Sequence, residues 1–260
     1  DYVAANEYLN AYAKSRAGGR TKVTAIDWGI WSGIGMAAAA AAARRSEGRG
    51  AEAPLPGLPI LQRMAQDGDG TRFSTTRSNA QWVMDDHRMK DGTAILPGAA
   101  WPEIAAEALS ALGQGPGFTL SGLTVFRPIR LEGDAPRDLR VTLARERGGA
   151  WRLEARMRET AGWALAVEAE IAPLAAAAPD RLDLAAIAAR CPDRRQARDG
   201  GALPSAQEDR VAFGPRWQVL RQTAIGQGEG LATLMRPAHA AGDTATTALH
   251  PALYDIGTGW

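Results

Sequence analysis

The chain has 260 residues, 45% of them hydrophobic, which is enough for one large or two small domains with a buried core. Its formal net charge of +1 argues against a surface that recruits nucleic acid or an anionic membrane. The single cysteine, Cys191, excludes an internal disulfide and is typical of a reducing cytoplasm. The longest apolar run, residues 34–43, is about half of a membrane span, so we expect no transmembrane segment or signal peptide.

The first predicted segment covers residues 1–43. Apolar positions recur at helical spacing over residues 2–13, and the glycine pair at 18–19 predicts the end of that helix. Residues 22–26 favour a short strand. A helix, a strand and a following loop make up half of an α/β unit.

Residues 44–69 predict a linker. Prolines and glycines interrupt this stretch repeatedly, and it contains few aromatic residues. Within it, residues 58–61 are expected to dock on the edge of the next domain.

From residue 70 to 175 the pattern predicts strands around one helix. The helix is expected over residues 98–112, with an apolar face and a polar stripe that contains Glu103 and Glu107. The strands are expected over residues 72–78, 81–84, 117–126, 137–145, 151–158 and 164–171. Strict alternation of apolar and charged residues over 151–158 indicates a sheet with one wet face.

The remaining chain predicts a connection and a second, shorter set of elements. Residues 176–209 form the connection, with an alanine-rich helix over 174–190. Residues 210–260 begin the second set, with strands over 217–224 and 230–235 and the start of a helix within 249–260. Because a complete second unit would need further strands, we expect it to be truncated.

Two polar residues on separate segments suggest acid–base chemistry. His87 precedes Gly92 and Pro97 with the spacing HxxxxGxxxxP, and Asp255 follows a short apolar run. A neutral histidine removes a proton at pH 7 without much tuning. A carboxyl group donates one if burial raises its pKa from about 3.9. The helix that begins near Gly98 offers N–H groups to a developing oxyanion.

These motifs resemble those of the dehydratase domain of modular polyketide synthases, a double-hotdog fold of the α+β class. The segment Phe213-Gly214-Pro215-Arg216-Trp217-Gln218 is similar to that family's YGPxFQ motif, and all the motifs follow in the family's order. The resemblance implies that His87 is the catalytic base and Asp255 the catalytic acid. It implies substrate-binding roles for Gly92, Pro97, Phe213, Gly214, Pro215, Trp217 and Tyr254.

Three positions depart from the family pattern. The family has HxxxG where this chain has HxxxxG, so Asp91 is an additional residue that would tilt His87 or add a charge beside it. Phe213 stands in the place of a tyrosine and lacks its hydroxyl group. In the family's DxxxQ or DxxxH motif, Gly259 replaces the amide or imidazole that would orient the aspartate.

A second resemblance concerns the beginning of the chain. The spacing of Tyr2 and Asn6 is similar to the YxxxN motif of polyketide synthase ketoreductases, in which the tyrosine donates a proton and the asparagine relays it. The cofactor loop of that family lies upstream of this motif. We therefore expect residues 1–43 to be the C-terminal remnant of a Rossmann-like short-chain dehydrogenase domain, without a dinucleotide site of its own.

The resemblance implies elimination of water from a β-hydroxyacyl thioester carried on phosphopantetheine by an acyl carrier protein. It implies no cofactor for the dehydratase and NADPH only for a complete ketoreductase. The expected partners are the carrier protein, neighbouring synthase domains and a second copy in a homodimer. Two alternatives remain open: a double-bond isomerase or oxa-Michael cyclase in the same fold, and a catalytically silent module that binds the acyl chain.

Other chemistries find no support in the sequence. The chain contains no GxSxG motif, so a serine hydrolase is not indicated. The acidic residues beside His87 lack a distant partner set for zinc, and no metal site is predicted. His239 is expected at the surface, and His250 is expected to point away from Asp255.

Overall fold

The computed structural model describes residues 8, 11–16, 51–68, 70–131, 133, 135–146, 148–174, 180–198 and 200–260, and divides into the units Asp1–Gly48 and Arg49–Trp260. In the first unit Tyr8 and residues 11–15 are helical, as predicted at those positions. Tyr2, Asn6 and the predicted strand at residues 22–26 lie outside the described residues. Among the described helices, none has the length and apolar character to cross a membrane.

The second unit is built mainly from strands. Its strands are β1 (Ala53–Pro54), β2 (Arg63–Asp67), β3 (Gly70–Arg77), β4 (His87–Met89), β5 (Ala94–Ile95), β6 (Phe118–Val125), β7 (Arg130–Leu131), β8 (Arg137–Arg145), β9 (Trp151–Glu159), β10 (Gly162–Pro173), β11 (Asp193–Gln196), β12 (Val211–Phe213), β13 (Leu220–Ile225) and β14 (Gly230–Leu234). Its α-helices are α1 (Trp82–Asp85), α2 (Ala100–Ala111), α3 (Leu184–Ala189) and α4 (Pro251–Gly259). Short 3-10 helices lie at Ala206–Asp209, Pro215–Trp217 and Ala238–Ala245.

The largest sheet is antiparallel, with seven strands in the order β1-β2-β3-β8-β9-β10-β6. Its inward-facing residues share one apolar core with α2, the central helix. Val141 on β8 pairs with Ala155 on β9, and both are fully buried, whereas the neighbouring Arg140 and Arg156 are partly exposed. The predicted wet face is therefore confirmed, as is the order of one helix followed by four antiparallel strands.

The polar stripe of α2 differs from its prediction, because Glu103 and Glu107 are buried. The Glu107 carboxylate accepts hydrogen bonds from the backbone N–H groups of Ile60 and Leu61, at 3.0 and 2.6 Å. The Glu103 carboxylate accepts from the N–H groups of Ala248 and Leu249. Backbone N–H groups of two other segments thus hydrogen-bond the two carboxyl groups. Helical spacing alone predicted that these groups face water.

The predicted linker at residues 44–69 is wrong in its C-terminal part. Strands β1 and β2 lie within it; β1 pairs with β2, and β2 pairs with β3. Ile60 and Leu61 are buried in the core, which agrees with the expected docking of residues 58–61. The proline and glycine content of this segment predicted a linker. Pairing with β3 instead stabilises part of the segment as strands.

Three further predictions need correction. Residues 81–84 were expected as a strand but contribute to α1, a single helical turn in which Val83 and Met84 face the core; an apolar run this short fits either structure. Within the described residues 174 and 180–190, the helix expected over residues 174–190 covers only α3, whose start Asp183 caps by accepting from the N–H of Ala186. The strand expected at 217–224 begins later, at Leu220, because Pro215 starts a 3-10 turn.

Two smaller sheets complete the unit. The order β12-β4-β5-β7 joins β12, from the second predicted set of elements, to strands of the first. The order β11-β13-β14 forms a separate three-stranded sheet. Helix α4 follows, with Pro251, Ala252 and Ile256 buried, at the place where a second central helix was expected. The antiparallel four-stranded sheet therefore brings the two halves of the chain together.

Candidate active site

Strand β4 begins at His87 and pairs with β12, so that His87 lies opposite Phe213. The preceding residue, Asp86, supports this pairing in two ways. Its carbonyl oxygen accepts the N–H of Gly214 at 2.8 Å, and its carboxylate accepts the N–H of Arg216 at 3.1 Å. Strand pairing and the contacts of Asp86 thus determine the location of the histidine.

The imidazole of His87 is oriented by a backbone acceptor. Its Nδ1–H donates to the carbonyl oxygen of Ile95 on β5 at 2.9 Å. In the neutral ring this bond leaves the lone pair on Nε2. Burial lowers the pKa of His87 below its ordinary value of 6.5, and the charge of Asp255 opposes this shift in part. The environment therefore favours a neutral ring with a basic Nε2 at pH 7.

The carboxylate of Asp255, on α4, faces this nitrogen. Its Oδ2 lies 3.7 Å from Nε2 of His87 and accepts a hydrogen bond from Nε1 of Trp217 at 2.8 Å. The side chains of His87 and Asp255 are only 10% and 16% exposed. The structure therefore brings together the two residues that the sequence singled out, with a proton acceptor and a carboxyl group side by side.

Aromatic rings surround the histidine. The ring centroids of Phe213 and Trp217 lie 5.6 and 5.5 Å from that of His87, and the two rings stack on each other at 6.1 Å. Such an apolar enclosure restricts the imidazole and removes water from one side of it. Phe213 and Trp217 thus contact the predicted base directly.

The additional residue Asp91 lies in the turn between β4 and β5, away from the imidazole. Its exposed carboxylate accepts the N–H of Thr93 at 2.9 Å, and this bond lowers the pKa of Asp91. Gly92 follows in the same turn with φ of +87°, a conformation that favours glycine. The extra residue lies in this turn, where the Asp91 carboxylate contacts Thr93.

A cleft of about 970 Å³ opens next to Asp255. Asp255 and Tyr254 line it, together with Gly98 and Ala99 at the start of α2. Its apolar lining includes Leu109, Phe118, Leu120, Leu123, Leu174 and Leu249. Among the predicted substrate-binding residues, the lining includes Tyr254 but not Gly92, Pro97, Phe213, Gly214, Pro215 or Trp217. For those six, a contact with substrate stays a prediction.

Sequence reasoning missed several supporting residues. Nothing in the motifs indicated that Trp217 donates to Asp255, that Asp86 holds β12, or that Glu103 binds the segment leading into α4. His250 is buried, with Nε2 3.4 Å from Asp243, and stacks on Trp82 rather than contacting Asp255. A weak signal existed for Glu103, since a glutamate in an otherwise apolar helix needs a partner when it is buried.

The two remaining expectations concern the surface histidine and metals. His239 is exposed, as predicted, and lies in the 3-10 helix Ala238–Ala245. Within the described part of the chain, no three histidine, cysteine, aspartate or glutamate side chains cluster as metal ligands do.

Comparison with known families decides which fold this is. A model described as the polyketide synthase dehydratase domain matches residues 59–158, and one described as the polyketide synthase dehydratase N-terminal domain matches residues 179–256. Together these matches cover more than half of the chain, and they include His87 and Asp255. The chain belongs to the polyketide synthase dehydratase family. Dehydratase domains of this family are hydro-lyases that act on β-hydroxyacyl thioesters and need no cofactor.

A curated relative supports the family at the level of sequence. The polyketide synthase GfsA of Streptomyces halstedii is 38% identical over 93 residues, which are 31% of this chain and 1% of that protein. The dehydratase chain thus spans about one hundredth of the length of the relative it matches.

Solved structures show that the dehydratase has the hotdog-like fold of its family. A dehydratase domain of a trans-AT polyketide synthase from Brevibacillus brevis has a TM-score of 0.65 and 22% identity, over 77% of this chain and 76% of that one. Two inactive variants of the CurK dehydratase, one His-to-Phe and one Asp-to-Asn, have TM-scores of 0.63 and 0.61. Each is 18% identical, over 80% of this chain and 72% of the other.

Proposed function

We propose that His87 is the general base and Asp255 the general acid in the elimination of water from a β-hydroxyacyl thioester. The observation that carries this proposal is the 3.7 Å separation of Nε2 of His87 and Oδ2 of Asp255 beside a cleft that Asp255 lines. The inactive CurK variants support it, because they replace a histidine and an aspartate, the same two residue types.

In the proposed step, one side chain accepts a proton and the other donates one, so the protons balance. Nε2 of His87 takes the α-proton, the C–H electrons form the α,β double bond, and the C–O bond to the β-hydroxyl breaks. Protonated Asp255 gives its proton to the departing oxygen, which leaves as water. After the water leaves, the imidazolium loses a proton and the Asp255 carboxylate gains one, which restores both groups.

The orientation of His87 suits the base role. Because Nδ1–H is engaged with the carbonyl oxygen of Ile95, the only free nitrogen faces Asp255. The pKa that burial lowers keeps the imidazole neutral before reaction. Trp217 holds Oδ2 of Asp255 on the same side, so both proton transfers occur on one face of the substrate.

The start of α2 supports stabilisation of the thioester oxygen. Gly98 and Ala99 line the cleft immediately before the helix, and N–H groups at a helix start favour a developing negative charge. We assign the oxyanion position to this end of the cleft. The apolar lining beyond it then takes the acyl chain.

We further propose that the substrate arrives on the phosphopantetheine arm of an acyl carrier protein, and that neighbouring synthase domains and a second copy in a homodimer are partners. These proposals rest on the family. For residues 1–43, the spacing of Tyr2 and Asn6 and the helix at residues 11–15 support a ketoreductase remnant, for which NADPH would serve only the complete domain.

The test is loss of water measured by intact mass. The dehydratase, in its natural polypeptide, is mixed with a carrier protein bearing a β-hydroxyacyl chain of either hydroxyl configuration. We expect the mass to fall by one water, and His87→Ala and Asp255→Asn to abolish that loss. His239→Ala is the matched control, because this histidine is exposed, and it retains full activity.

Two outcomes would contradict the proposal. If neither His87→Ala nor Asp255→Asn slows enoyl formation, the catalytic assignment is wrong. If the mass stays unchanged for both configurations, the silent module becomes the better description. A double-bond isomerase or cyclase would instead consume the enoyl thioester without a further change in mass.

A further inference from the structure

The C-terminal end of α4 contains a position that has no room for a side chain. A Cβ built on Gly259 would lie 1.8 Å from Nε2 of Gln207, 2.9 Å from its Cδ and 3.4 Å from its Cγ. Gln207 comes from the 3-10 helix Ala206–Asp209, on a different segment. Its carboxamide therefore fills the space that a side chain at position 259 would enter.

Local hydrogen bonds hold Gln207 in place. Ser205 and Glu208 form a capping box, in which the Ser205 N–H donates to the Glu208 carboxylate at 3.0 Å. The Gln207 N–H donates to the Ser205 hydroxyl at 3.3 Å, and that hydroxyl donates to the carbonyl oxygen of Gly259 at 3.4 Å. The 3-10 helix is thus attached to the end of α4.

Gln207 also reaches the residue proposed as the acid. Its Nε2 donates to the carbonyl oxygen of Asp255 at 3.3 Å, and the hydroxyl of Thr258 donates to the same oxygen at 3.2 Å. At the other end of Asp255, the indole of Trp217 holds the carboxylate. Asp255 is therefore held both through its main chain and through its side chain.

We propose that Gln207 is a positioning residue for Asp255, and that it supplies from another segment the amide that the resembled DxxxQ motif places at position 259. The inference rests on the proposed role of Asp255 as the acid. Gln207 touches no reacting atom; it sets the orientation of the helical turn that presents the carboxylate to His87. Gly259 and Gln207 form a matched pair, because a side chain at either position excludes the other.

The steric conflict gives the proposal a specific test. In Gly259→Ala, the nearest atoms are those at the flexible end of Gln207, so the amide swings away while the fold persists. Gly259→Ala therefore removes the same hydrogen bond as Gln207→Ala. Since both changes delete one interaction, their effects on rate are not additive.

The experiment measures kcat and KM for water elimination by the dehydratase in its natural polypeptide. Gln207→Ala, Gly259→Ala and the double variant are each expected to lower kcat by the same factor, about 3- to 10-fold, the range of one neutral hydrogen bond. KM and the melting temperature stay near their wild-type values. In Gln207→Ala combined with Gly259→Gln, the amide returns from the helix itself and kcat recovers.

Gln222→Ala and Gly242→Ala are the matched controls. Gln222 is exposed on β13, and a Cβ at Gly242 meets no atom within 4 Å. Wild-type kcat in either Gln207→Ala or Gly259→Ala would overturn the proposal, as would additive losses in the double variant. His87→Ala in the same series separates the two hypotheses: if it still eliminates water, the proposed function has failed rather than the positioning role.

Discussion

Nε1 of Trp217 donates a hydrogen bond to Oδ2 of Asp255 at 2.8 Å, while the ring of the same residue lies 5.5 Å from that of His87. One side chain, presented by the 3-10 turn Pro215–Trp217, therefore contacts both members of the proposed acid–base pair. The distance between the carboxyl group and the imidazole depends on this indole, because the two groups come from different elements of the fold.

Replacement of Trp217 tests this dependence. Trp217→Phe keeps an aromatic ring against His87 and Phe213 but removes the donor to Asp255. An ordinary hydrogen bond contributes about 0.5–1.5 kcal/mol, so we expect kcat for water elimination to fall about 3- to 10-fold. Steady-state kinetics with a β-hydroxyacyl carrier protein measure this effect.

Trp82→Phe is the control for that substitution. Trp82 packs 5.9 Å from Trp217 and makes no hydrogen bond to Asp255. Because phenylalanine keeps a ring at this position and no bond to Asp255 is removed, kcat is expected to change less than about twofold. Equal losses in both variants would mean that ring packing, rather than the indole N–H, supports the acid.

The pH dependence of the reaction reports the state of His87. Burial lowers its pKa below 6.5, and a base must be neutral to accept a proton. Activity is therefore expected to persist as the pH falls through 6.5 and to decline only below the lowered pKa. The acidic limb of kcat/KM against pH measures this value in the free enzyme. A midpoint at or above 6.5 would contradict the proposed environment.

Glu107 predicts an unusual pH dependence of stability. Burial raises its pKa from 4.5 to about 8 despite the N–H groups of Ile60 and Leu61. Between these two values the folded chain binds more protons at Glu107 than the unfolded chain does. This contribution to stability is therefore present at low pH and is lost as the pH rises towards 8.

Glu107→Gln isolates this contribution, because glutamine does not titrate. The free energy of unfolding of the wild type minus that of the variant is expected to fall by up to about 1.4 kcal/mol per pH unit between pH 5.5 and 7.5. Urea unfolding at several pH values measures the difference. Parallel curves for the two proteins would show that the carboxyl group is already ionised across this range.

Gly214 is expected to tolerate no side chain. A Cβ there would lie 2.2 Å from Oδ1 of Asp86 and 2.7 Å from its Cα, and the Cα belongs to the backbone and cannot swing away. Gly214→Ala is therefore expected to lower the free energy of unfolding by about 1–3 kcal/mol and to reduce activity through the neighbouring pair of His87 and Phe213.

Gly242→Ala serves as the control, since its Cβ enters open space. Thermal unfolding of both variants compares the two sites directly. A melting temperature for Gly214→Ala equal to that of Gly242→Ala would show that the contact between β4 and the segment after β12 adjusts without cost.

The long strands and the central helix follow from local pattern. The strands predicted over residues 137–145 and 151–158 match β8 and β9 almost to the residue, and over 151–158 the signal was alternation of apolar and charged residues. The same reasoning failed at residues 81–84, where four residues are too few to separate a strand from a helical turn. It also failed for residues 53–67, whose pairing depends on strands that follow later in the chain.

His87 and Asp255 were singled out from the sequence because residue type and the order of the motifs can be read directly from it. Their 3.7 Å separation, the donor role of Trp217 and the placement of Gln207 against Gly259 were decided only by the tertiary structure. Each of these contacts joins segments far apart in sequence, and no local periodicity records which side chains meet there. The same holds for Glu103 and Glu107, whose helical spacing indicates a shared face, whereas only packing determines that the face is dry.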